Sequence, residues 1–156
     1  AFLPELVMAG EAMKDAVSVL EPEMARRGAH RQMLGKVVLA TVEGDIHEIG
    51  KSLVGIMLSA SGFQVYDLGV DVATAKIVQT AREVQADIVA LSALLTTTMS
   101  KQKEVIEALA TAGVPSKVMV GGAPVTREWV KRIGADGYSE DAIGAVQVAK
   151  TLVSAA

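Results

Sequence analysis

His47 stands in the segment Gly44-Asp45-Ile46-His47-Glu48-Ile49-Gly50, directly after the apolar run from Lys36 to Val42. A loop leaving a buried strand, with a carboxylate two residues before an imidazole and a glycine three after it, can present a ligand nitrogen to a metal. Asp45 would then hold the other ring nitrogen and fix the tautomer and the direction of the ring. Phosphate binding is the competing chemistry, since Gly50-Lys51-Ser52 also follows a strand and opens a helix. That motif needs four residues between its glycines, whereas five separate Gly44 from Gly50. Lys51 and Ser52 are therefore read as serving the first helical turn. His30, the only other histidine, lies in a polar linker and is read as solvated.

The spacing downstream is specific. Between Gly50 and Ser92-Ala93-Leu94 lie 41 residues, and between Leu94 and the pair Gly121-Gly122 lie 26. Asp-x-His-x-x-Gly, then Ser-x-Leu, then Gly-Gly at these separations resembles the vitamin B12 (corrinoid) binding fingerprint of methionine synthase, of methyltransferase corrinoid proteins and of several B12-dependent mutases.

The resemblance implies a corrinoid cofactor with His47 as the lower axial ligand of cobalt, replacing the cofactor's own dimethylbenzimidazole. The displaced nucleotide tail would enter a narrow slot. A side chain at Gly50, Gly121 or Gly122 would occupy that slot, and Ser92 would offer the tail a short hydroxyl. The implied binding set is Gly44, Asp45, Ile46, His47, Glu48, Ile49, Gly50, Ser92, Leu94, Thr96, Thr98, Gly121, Gly122 and Ala142. In the methionine synthase pattern a serine at the position of Thr98 extends a relay from histidine through aspartate. Threonine keeps that hydrogen-bonding capacity, so proton uptake along His47, Asp45 and Thr98 is expected to tune the lower ligand.

These residues need elements to hold them. With 51% hydrophobic residues but only 3% aromatics, the core must be built from Val, Ile, Leu, Ala and Met, which suits a parallel sheet covered on both faces. Strands are expected near 36–42, 64–68, 87–93, 117–121 and 136–138, with helices over about 50–61, 73–84, 98–112, 125–133 and 140–153. Strands alternating with helices imply an α/β fold with a five-stranded, doubly wound parallel sheet. The resemblance makes it Rossmann- or flavodoxin-like. Ligands of such sheets bind beyond the carboxyl ends of the strands, and the three motif elements follow the first, third and fourth.

Residues 2 to about 27 read as helix, because Leu3, Leu6, Val7, Met13, Val17 and Leu20 recur at helical spacing. Phe2-Leu3-Pro4-Glu5-Leu6-Val7, Glu11-Ala12-Met13-Lys14 and Val19-Leu20-Glu21-Pro22 resemble the end of the helical cap that precedes the B12 domain in methionine synthase and methyltransferase corrinoid proteins. The expected organisation is the C-terminal part of a cap over 1–30 and a corrinoid-binding domain over 31–156.

Fifteen basic against eighteen acidic residues give a net charge of -3, and no basic stripe suggests nucleic acid. The longest apolar run, Ile88 to Leu95, is interrupted by Ser92 and too short to span a bilayer. Zero cysteines exclude disulfides and thiolate metal sites and fit a reducing cytoplasm. The resemblance then implies a methyl carrier. It would accept a methyl group on cobalt from a substrate-specific methyltransferase and pass it to a second one, whose acceptor is tetrahydrofolate or a thiol, with a reductive activator as a third partner. A subunit of this kind has no turnover of its own. The B12 domain of an adenosylcobalamin-dependent mutase and a B12-sensing regulatory module are the alternatives.

Overall fold

The computed structural model describes residues 33–154. The helical cap expected over 1–30, and His30, lie outside the described residues. Five strands, β1 (Gly35–Thr41), β2 (Phe63–Asp67), β3 (Ile88–Ser92), β4 (Lys117–Gly121) and β5 (Gly137–Tyr138), alternate with five helices. These are α1 (Ile49–Ala60), α2 (Thr74–Val84), α3 (Thr96–Thr111), α4 (Arg127–Ile133) and α5 (Ala142–Ser154). The elements match the sequence expectation to within about two residues. Val42 leaves the first strand early and makes only an isolated bridge to Val72.

All strand pairs are parallel, in the order β2-β1-β3-β4-β5. Successive strand residues point to opposite faces, and β1 shows the result. Val37 and Leu39 join Ile88, Ala90 and Met119 under α1 and α5, while Val38 and Ala40 join Val89, Leu91, Val118 and Val120 under α2, α3 and α4. With both faces covered, the inner strands are apolar throughout, which explains their continuous hydrophobic runs.

The chain order reverses between β1 and β3, which are hydrogen-bonded neighbours. A crevice opens at such a switch point, outside the carboxyl ends of the strands. The loop carrying His47 leaves β1 there, and Ser92 ends β3 beside it, paired with Thr41 on one side and Gly121 on the other. Among the described residues no helix is long and apolar enough to cross a membrane.

Candidate cofactor site

Asp45 is fully buried and every acceptor direction of its carboxylate is used. Its Oδ1 accepts the His47 ring Nδ1 at 2.7 Å and the His47 backbone N–H at 3.1 Å; its Oδ2 accepts the Leu94 N–H at 2.7 Å and the Thr98 hydroxyl at 2.8 Å. Burial alone would raise the pKa of this carboxyl group. The hydrogen bonds from Leu94, His47 and Thr98 outweigh it and hold the pKa at about 2. An ionised carboxylate only accepts, so the proton between the two side chains sits on Nδ1 of His47. In the neutral ring Nε2 then carries the lone pair, and it has no partner among the described residues on a side chain 47% exposed. A directed, basic, solvent-facing nitrogen is the donor that a metal in a planar macrocycle requires.

Local backbone chemistry holds this ring in place. Gly44 adopts φ +85°, which a side chain would resist, and its N–H donates to Asp71 Oδ1 at 2.7 Å. Asp71 has a left-handed φ of 50° and donates its own N–H to the Asp45 carbonyl. The buried Thr41 hydroxyl, at the end of β1, donates to the His47 carbonyl at 2.8 Å. Thr98 has a second acceptor, the Leu95 carbonyl at 3.0 Å, so its single proton serves one acceptor at a time.

Below this cluster a cavity of about 400 Å3 runs between α1 and α5 against the sheet, lined by Gly50, Ser92, Leu94, Gly121, Gly122 and Ala142 among others. The Ser92 hydroxyl has no partner among the described residues. The structure thus divides the sequence-predicted residues. Asp45, His47 and Thr98 form one hydrogen-bonded cluster; Gly50, Ser92, Gly121, Gly122 and Ala142 line the cavity; Leu94 belongs to both, through its N–H and its place in the lining. Ile46 is 75% exposed beside His47. Glu48 is the exposed N-cap residue of α1, Ile49 is its half-buried first residue, and Thr96 is exposed at the start of α3.

The three glycines expected to keep the slot open differ in what surrounds them. At Gly50 an added Cβ would meet nothing within 4 Å, so its bulk would enter open cavity space. At Gly121 it would press on the Ser139 carbonyl at 3.2 Å. Gly122 is a different case: φ is +129° and a Cβ would lie 1.8 Å from the Ala93 carbonyl oxygen. Glycine is required there by the close approach of two backbone segments, not by the need to leave the slot empty.

Several functional neighbours escaped the sequence reading. Lys51 does not simply serve the first helical turn, although Ser52 does, bonding Glu48 through its N–H. The Lys51 side chain is fully buried and its Nζ reaches Asp67 at 2.6 and 2.7 Å, tying the start of α1 to the end of β2. Gln102, also fully buried, donates from Nε2 to the carbonyls of Leu91 and Gly121 and accepts the Trp129 indole N–H at 3.0 Å. At the cavity mouth Asp141 accepts the Gly144 N–H at 2.6 Å and so caps α5. Only Asp141, placed just before a helix, carried a legible signal.

The residues fit a corrinoid: an outward imidazole nitrogen, braced by a carboxylate, stands beside a cavity left open at Gly50. Residues 35–147 match the family model for the B12 binding domain. The chain is 51% identical over 154 residues to trimethylamine corrinoid protein 2 of Methanosarcina acetivorans, covering 97% of this chain and 71% of that protein. A solved cobalamin-binding protein from Desulfitobacterium hafniense DCB-2 superimposes with a TM-score of 0.79 at 39% identity, over 97% of this chain and 71% of its own. The methanol:cobalamin methyltransferase complex MtaBC from Methanosarcina barkeri contains a chain matching with a TM-score of 0.80 at 31% identity, over 100% of this chain and 59% of that one. With its fingerprint residues gathered at one sheet edge and its relatives this close, the chain belongs to the B12-binding domain family.

Proposed function

We propose that this chain is a corrinoid-binding methyl carrier that receives a methyl group from a substrate-specific methyltransferase and delivers it to a second methyltransferase. The observation that carries the reading is the Asp45–His47 pair, which aims a lone-pair nitrogen outward at the switch point of the sheet. The bound corrinoid would supply a cobalt centre able to accept and release a methyl group. Nε2 of His47 would hold the cobalt. Asp45 would keep Nδ1 protonated, and Thr98 and the Leu94 N–H would hold Asp45 charged. The cavity between α1 and α5 would receive the displaced nucleotide tail, with Ser92 offering its hydroxyl.

Kinship with a trimethylamine corrinoid protein and with a chain of a methanol:cobalamin methyltransferase complex supports the carrier over the mutase alternative. The donor-side methyltransferase, the tetrahydrofolate- or thiol-dependent acceptor enzyme and a reductive activator are the partners of this reading. Electron paramagnetic resonance of the Co(II) form, prepared with nitrogen-15 histidine, tests its foundation. Hyperfine coupling to an imidazole nitrogen, lost in His47→Ala, is expected. Coupling only to a benzimidazole nitrogen would overturn the assignment.

A further inference from the structure

The cavity between α1 and α5 differs in polarity from rim to floor. At depth it is walled by Leu39, Val54, Ala90, Met119 and Ala145, four of them buried and Val54 half-buried. The strand backbone behind them is occupied, because β1, β3 and β4 pair in register along this stretch. The polar side chains that line the cavity are nearly all committed elsewhere. Lys51 Nζ is held by both oxygens of Asp67, the Ser139 hydroxyl donates to the Asp141 carbonyl, and Oδ1 of the Asp141 carboxylate, at the rim, caps α5. Glu140 is exposed at the rim. Ser92 is left as the lining side chain whose hydroxyl is uncommitted among the described residues, and it stands at the end of β3 rather than at the floor.

A group entering this cavity loses its water, and each polar atom that finds no partner there weakens binding. A benzimidazole detached from cobalt has one ring nitrogen to satisfy, which matches the Ser92 hydroxyl. Adenine brings an exocyclic amino group and further ring nitrogens, more than the apolar floor and the Ser92 hydroxyl can meet. We propose that this slot selects its corrinoid by the polarity of the lower base, admitting a benzimidazole or another weakly polar aromatic ring and discriminating against a purine. The inference rests on the placement of the nucleotide tail given under Proposed function, and it names the class of corrinoid that placement would accept.

Three probes in their aquo-Co(III) forms test it on the unmodified protein: cobalamin, the cobamide with adenine as lower base, and cobinamide, which has no nucleotide tail. Dissociation constants come from the visible spectrum of the corrin as protein is added. Cobalamin should bind at least about tenfold more tightly than the adenine cobamide, the loss expected from one or more unmet hydrogen bonds. That order cannot come from the ease of freeing the base: adenine is the weaker base, leaves cobalt more readily, and would be favoured on that ground alone. Equal affinities for cobalamin and the adenine cobamide, both tighter than cobinamide, would overturn the selectivity and leave the tail in the slot. Tighter binding of the adenine cobamide would overturn it as well. Equal affinities for all three would overturn both the selectivity and the slot reading beneath it.

Discussion

The Asp71 N–H donates to the Asp45 carbonyl at 2.8 Å while the Asp71 carboxylate accepts the neighbouring Gly44 N–H at 2.7 Å. A single residue beyond β2 thus holds both the N–H of Gly44 and the C=O of Asp45 in the loop after β1, just before His47. The grip requires both an acceptor side chain and a left-handed φ of 50°. Asn meets both demands, Gly only the second and Val neither. Asp71→Asn should leave the apo protein within about 0.5 kcal/mol of the parent, and Asp71→Gly should cost about 1 kcal/mol for the lost bond. Asp71→Val should cost about 2–3 kcal/mol once backbone strain is added. Denaturant unfolding measures the order, and equal losses for Asn and Val would remove the argument.

Two glycines that look alike in sequence should respond oppositely to alanine. Gly50→Ala, in the first turn of α1 with open space beyond its Cβ position, should hold or raise apo stability by up to about 1 kcal/mol, since alanine is the better helix former, while weakening corrinoid binding. Gly122→Ala must displace the Ala93 carbonyl and should cost several kcal/mol in stability, on the order of an overpacked core site. Thermal melts of both apo variants, set beside their corrinoid affinities, check the contrast. A stable Gly122→Ala protein that fails only in binding would restore the slot explanation for that residue.

Asp45 gives stability a defined pH dependence. Its carboxyl group falls from the ordinary value of 3.8 to about 2 on folding. A lowered folded pKa favours the native state above the unfolded value, so the contribution is complete above about pH 4 and disappears as the pH drops through about 2. The amount is on the order of 2 kcal/mol. Unfolding free energies of the apo protein at several acid pH values should show this loss, and Asp45→Asn should flatten the profile across the same window.

The Lys51–Asp67 pair is asymmetric, with the lysine side chain fully buried and the aspartate side chain 40% exposed. Among the described residues, Asp67→Ala leaves the buried ammonium with only the exposed Glu48 carboxylate at 4.0 Å and should cost about 3 kcal/mol. Lys51→Met leaves a carboxylate that water can reach and should cost less than about 1.5 kcal/mol. Unfolding midpoints that ranked the two variants in the other order would show that the pair is not limited by burial of the lysine.

What the sequence made legible follows from which constraints are local. Asp45, His47 and Gly50 stand out because an imidazole, the carboxylate that braces it and a small residue occur at short fixed spacing, and Ser92 and Gly121 add register along the chain. The inner strands announce themselves because burial on both faces leaves no polar alternation. Asp71, Lys51 and Gln102 act through partners set by strand register and helix packing: Asp71 lies 27 residues from Gly44, and Gln102 lies 19 from Gly121. No local pattern encodes those meetings. The Gly122 misreading has the same origin, since sequence gives the residue type but neither its φ nor the Ala93 carbonyl that crosses it.

The hydrogen bond from the Trp129 indole to Gln102 has a spectroscopic consequence. Trp129 is the chain's only tryptophan, and through Gln102 it is connected to the carbonyls of Leu91 and Gly121 at the edge of the cavity. Indole emission depends on what its N–H touches, so the protein carries an intrinsic optical reporter one side chain away from the Gly-Gly turn. Any adjustment of that turn on loading would register as a change in the wavelength of a single fluorophore, with no label attached.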